Sequence, residues 1–112
     1  MMREMLNRRL VLEAPLSEED GAGGRVLSWA GLGTHWAKIE PGTGREVAIA
    51  EVPLGSVPLK ITVRASPMGS MARPEPGQRF REGGRIYPIL AVSEKDAGGR
   101  YLTCFAREEV PA

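Results

Sequence analysis

Leu59-Lys60-Ile61-Thr62-Val63-Arg64-Ala65 alternates apolar and polar side chains. Ile61 and Val63 fall on one side of an extended chain, and Lys60, Thr62 and Arg64 on the other. Period two over seven residues, rich in β-branched side chains, is the signature of a half-buried strand. Working outward, the same reading recurs. Arg9 to Ala14, Arg25 to Ala30, Thr34 to Glu40, Gln78 to Phe80, Arg85 to Val92 and Tyr101 to Arg107 read as further short strands. Pro15 is expected to end the first, because proline cannot donate to a sheet ladder. Gly31-Leu32-Gly33 is expected to separate the second from the third. Pro88 marks a sheet edge or a bulge in the strand that holds it.

Between these runs lie turns. Ser17 to Gly24 begins like a helix capping box but continues into glycine rather than an apolar stripe, so it reads as a turn. Pro41 to Gly44, Glu82 to Gly84 and Glu94 to Arg100 are others. Two connections are long: 41–58 and 66–77. The chain holds 14 glycines and 9 prolines in 112 residues, which favours many turns over long helices. Six or seven short strands predict an all-β fold, a small β-barrel formed by one domain over 1–112, with 1–7 as an N-terminal arm.

Charge is balanced, 15 Lys and Arg against 14 Asp and Glu. A dedicated nucleic-acid neutraliser would carry a clear basic excess. The basic residues cluster only weakly, at Arg8-Arg9 and at Arg79, Arg81 and Arg85, and aromatic residues make up 5%. Trp29 and Trp36 carry much of that aromatic area, and at least one is expected in the core. No apolar run approaches the ~20 residues of a membrane span. The charged start Met1 to Leu10 does not read as a signal peptide.

Reactive groups are scarce. His35 is the only histidine and Cys104 the only cysteine. One cysteine allows no intrachain disulfide and no cysteine-rich zinc site. Cys104 lies mid-strand between Leu102 and Ala106 and reads as a small buried apolar group. The glycine clusters lack both the last glycine of a dinucleotide fingerprint and the lysine of a P-loop. Glu18-Glu19-Asp20 lacks calcium-loop spacing. The expectation is no catalytic residue, no metal, no cofactor and no enzyme activity.

An ordered set of short motifs nonetheless has a familiar look. It comprises Leu6 and Arg9, Asp20-Gly21-x-Gly23-Gly24, Trp29, Trp36-Ala37-x-Ile39, Gly44-Arg45-Glu46, Ile61-Thr62-Val63-Arg64, Arg79, Gly84-Arg85-x-Tyr87-x-Ile89 and Leu102-x-Cys104. In this order and spacing the chain resembles the phage head–tail joining family, the head-closure or stopper proteins of tailed phages and gene transfer agents. It departs from the pattern in the Pro- and Met-rich stretch Ser66 to Pro76 and in the apolar run Val47 to Leu54.

The resemblance implies a small β-barrel and a homo-oligomeric ring of roughly six copies, or about twelve, in the neck of a particle. Its partners would be the head–tail adaptor above and the tail terminator below. Packaged double-stranded DNA would pass through the channel without sequence-specific contact, and no membrane is involved. Assembly would take place in the bacterial cytoplasm. Such a ring seals packaged DNA and offers the tail its attachment surface. The connection after the third strand would reach the channel, which makes Arg45, Glu46, Val47, Ile49 and Val52 the candidate gate. Trp29, Trp36, Arg64, Arg85 and Tyr87 are the family-motif structural positions. Met68 and Met71 are candidate ring contacts, since methionine adapts to irregular interfaces. The competing readings are a stand-alone nucleic-acid-binding barrel and a cellular adaptor domain.

Overall fold

The structure is a computed structural model, described here for residues 5–42 and 56–109. Six strands form β1 (Arg8–Glu19), β2 (Arg25–Pro41), β3 (Val57–Arg64), β4 (Arg79–Glu82), β5 (Arg85–Glu94) and β6 (Tyr101–Glu108). All neighbours are antiparallel, in the order β1-β2-β3-β6-β5-β4, and β4 pairs back onto β1 through Val11 to Glu13. Closure leaves the barrel wall without an open edge. The all-β barrel expected from the alternating segments is the fold found.

Alternation fills the interior. Leu10 and Leu12 of β1, Ala37 of β2, Ile61 and Val63 of β3, Phe80 of β4, Tyr87 and Ile89 of β5, and Leu102, Cys104 and Ala106 of β6 form one buried cluster. Phe80 and Tyr87 face each other in register and are its largest members. Within Leu59 to Ala65, Ile61 and Val63 are buried and Arg64 is exposed as expected, whereas Thr62, expected on the outer face, is fully buried.

Three expectations need correction. Pro15 does not end β1, which continues to Glu19. The segments 25–30 and 34–40 are not separate strands but parts of one, β2. The register explains both. Leu12 pairs with Gly33 and Glu13 with Gly31, so Leu32 is an extra residue absorbed as a bulge. Gly33 takes φ +132°, a conformation that a side chain would strain. Beyond Glu13 β1 has lost its β4 neighbour and pairs on one side only, which leaves room for Pro15 opposite Trp29. The paired ends of β1 and β2 therefore leave the barrel as a two-stranded arm, residues 14–30. The third correction is that neither tryptophan enters the core: Trp36 is 56% exposed, and Trp29 is half-buried on the arm.

The arm ends in the expected turn. One carboxylate oxygen of Asp20 accepts the amides of Ala22 (2.7 Å) and Gly24 (3.0 Å), and Gly21 and Gly23 supply the positive φ.

Topology distinguishes the two long connections. β3 and β4 stand on opposite sides of the barrel, so the chain between Ala65 and Gln78 must cross one mouth. β2 and β3 are adjacent and antiparallel, and a hairpin of two to five residues would join them. The connection between Pro41 and Val57 is therefore longer than connectivity requires. Its base is closed by the Gly42 amide donating to the Pro58 carbonyl at 3.0 Å.

Candidate functional site

The two ends of the barrel differ. One end carries the start of β1, the base of the 42–56 connection, the β4–β5 turn and the end of β6. The other carries the arm, the 65–78 crossover and the β5–β6 turn. The long β2–β3 connection and the arm thus leave from opposite ends.

The first end is ringed by charge. Both guanidinium donors Nε and Nη2 of Arg8 go to the Glu82 carboxylate, which also accepts the Tyr87 hydroxyl at 3.0 Å. Arg85 makes a bidentate pair with Glu108, at 2.8 and 2.9 Å. The Arg8 hydrogen bonds, opposed by partial burial, hold the Glu82 carboxyl below its ordinary range. Burial, with the Glu82 carboxylate beside it, pushes the Tyr87 phenol up to about 12. Four of the six strands (β1, β4, β5 and β6) are tied together at the base of the long connection. Arg45, Glu46, Val47, Ile49 and Val52, the candidate gate, lie outside the described residues.

At the other end the crossover is folded on itself. Ser70 Oγ accepts the Ala72 amide, Arg73 donates to the Ser66 carbonyl at 2.9 Å, and Pro74 is fully buried. Met68 and Met71 stand out from this pinned loop, 82% and 72% exposed.

The root of the arm is fixed by a second charged cluster. Glu13 is buried and receives Arg79 at 2.8 Å and Arg81 at 3.0 Å. Burial alone would raise its pKa, but the two guanidiniums outweigh that and hold it low. Arg79 also stacks on Trp29, 4.0 Å from the ring centroid. Of the arginines that cluster in the sequence, Arg8, Arg79, Arg81 and Arg85 are thus committed to intramolecular pairs, and Arg9 is not.

A different basic surface arises instead. The outward side chains of β1, β2, β3 and β6 set Arg9 opposite Trp36, Lys60 opposite Phe105 and Arg64 opposite Tyr101, with Lys38 and Arg107 on the same wall. These residues are far apart in sequence, and only the barrel brings them together. The arm was equally hidden, although the equal lengths flanking the Asp20–Gly24 turn were a usable signal.

Catalytic chemistry finds no constellation among the described residues. Cys104 is buried, which pushes its thiol up to about 12 and keeps the nucleophilic thiolate unformed. His35 is half-buried edge-on to Phe80, with centroids 5.9 Å apart, and burial lowers its pKa. No group of three metal-ligating side chains occurs among the described residues.

A closed barrel that binds its core charges internally and exposes apolar groups on an arm and a pinned loop has the makings of a subunit in a larger assembly. The chain belongs to the phage head completion protein family, whose model matches residues 1–109. It is similar to a chain of the virion of a native gene transfer agent particle, with 50% identity over 98% of this chain and 100% of that one, at a TM-score of 0.78. Protein SF1141 from Shigella flexneri 2a shares the fold, with 20% identity over 96% of each chain and a TM-score of 0.69. No curated protein matches the chain.

Proposed function

We propose that the chain is the head-closure subunit of a phage or gene transfer agent particle. It stands as a ring in the neck, between portal and adaptor above and tail below. The match across 1–109, with half-identity to a chain of a gene transfer agent virion, carries this reading. The role is structural, without catalysis.

The β2–β3 connection supplies the closing element. Its length exceeds what two adjacent strands need, and connections of this size in small domains are usually functional. Its sequence is apolar at Val47, Ile49 and Val52. Identical loops meeting on a ring axis would bury these residues against symmetry mates and obstruct the DNA path.

Removing the gene from a producing strain tests the function. Filled heads should then lose DNA, and finished tails should accumulate unattached. Particles that keep both DNA and tails without the chain overturn the reading. For the loop, Val47→Asp with Ile49→Asp should release DNA from assembled particles while the chain remains in the neck. Normal DNA retention by that variant removes the loop from the closure.

A further inference from the structure

Two surfaces have no role in the barrel or at its charged end. The first is the outer half of the arm. Leu16 and Val26 are exposed on one side of the ribbon, and Leu27, 62% exposed, on the other. The tip carries Glu18, Glu19 and Asp20 against Arg25 alone, and Arg25 is folded back onto the Ser17 hydroxyl at 2.8 Å. Among the described residues, Glu18 and Glu19 stand in no ion pair. Both long edges of the ribbon lack a strand partner among the described residues.

The second surface is the outer wall of β2, β3 and β6 with the start of β1. Arg9, Arg64 and Arg107 stand in no ion pair among the described residues. They are interleaved with Trp36, Tyr101 and Phe105, whose rings are exposed or half-exposed.

We propose that the arm of one copy lies across this wall of the next copy, with Leu16 and Val26 against the aromatic rings and Glu18, on the same face of the ribbon, against the arginines. The two surfaces match in both respects, apolar to aromatic and acidic to basic. Within one copy neither glutamate meets one of these arginines. Because the surfaces are different parts of one chain, the contact is head-to-tail, the kind that propagates around a closed ring. A nucleic acid on the wall would satisfy the arginines but leave the acidic, apolar arm uncovered. A second copy covers both surfaces with one contact. The inference rests on the ring reading above.

Reciprocal charge reversal tests it in particles. Glu18→Arg should lower the amount of this chain per particle about tenfold, the size of change that a loss of about 1.4 kcal/mol produces. Arg64→Glu with Arg107→Glu should do the same, and all three substitutions together should restore most of it. All are exposed or half-exposed sites, and unchanged melting of each isolated variant excludes misfolding. Full incorporation of the arm variant, or no recovery in the combined variant, overturns the contact. So does a DNA-retention defect confined to the wall variant, which would give the wall to nucleic acid. Absence of the wild-type chain from particles would instead bring down the head-closure reading itself.

Discussion

The guanidinium of Arg79 lies 4.0 Å from the ring centroid of Trp29 while its Nε donates to Glu13 at 2.8 Å. One side chain of β4 therefore grips both strands of the arm at its root, Glu13 on β1 and Trp29 on β2. The arm is a lever with a fixed pivot. Replacing Arg79 by Ala should leave the barrel folded but free the pivot. Amide exchange across 14–30 should speed up by more than exchange in β3 and β6, which follows the loss of global stability alone. Global stability should fall by about 1–3 kcal/mol, since buried Glu13 keeps Arg81 alone. Hydrogen-exchange mass spectrometry reads both effects.

Acid should act through the same residue. The folded-state pKa values of Glu13 and Glu82 are depressed, because arginine hydrogen bonds outweigh burial. Their stabilisation is fully present above the unfolded carboxyl pKa of about 4.3 and is lost as pH falls through the lower folded values. Melting temperature should stay level near neutrality and drop steeply below about pH 4. Glu13→Gln should be less stable than wild type at pH 7, and the difference should shrink as pH is lowered. A constant difference from pH 7 to pH 3 would detach the acid response from Glu13.

Gly33 sets the bulge from which the arm leaves the barrel. Its φ of +132° is open to glycine and strained for any side chain, while a Cβ there would meet nothing within 4 Å. The cost of Gly33→Ala is thus conformational rather than steric, about 1–3 kcal/mol. The chain can relieve it by shifting the bulge, which would reverse the faces of the arm. Chemical denaturation measures the cost, and a new environment for Trp29 in its fluorescence reports the shift.

Cys104 offers a probe of the closed barrel. It is fully buried, and its thiol is pushed up to about 12 by burial. The native protein should react with a thiol reagent at pH 8 at least a hundredfold more slowly than the denatured chain. Its rate should follow global unfolding, because strands on both sides of β6 must separate to reach it. Fast labelling under native conditions would mean that the β5–β6 or β3–β6 seam opens locally.

Much of the architecture was legible in the residues. Period-two alternation placed strands at 59–65, 85–92 and 101–107, and in the first it turned Ile61 and Val63 inward, because one buried face dictates which side chains are apolar. The turn at Asp20 was legible for a local reason as well: its side chain replaces the backbone acceptors that a strand would supply. The arm was not legible. Pro15 and Gly31-Leu32-Gly33 break strands by their local chemistry, yet a strand paired on one side accommodates the proline and a bulge absorbs the extra residue. The expectation that at least one of Trp29 and Trp36 enters the core also failed: their hydrophobic area argues for burial, while the register with Arg9 turns Trp36 outward and Trp29 lies on the arm.

The sequence by itself determined an all-β chain, two long connections, a buried unreactive cysteine and the family resemblance. Each depends on neighbours along the chain or on motifs in order. Only the tertiary structure decided which arginines are neutralised and which form a basic wall, since Glu13 meets Arg79 and Arg81 across 66 and 68 positions. Barrel closure also separated the two long connections, one crossing a mouth between opposite strands and the other longer than its adjacent strands require. Strand order is set by burying many distant segments at once, and no local stretch of sequence carries that information.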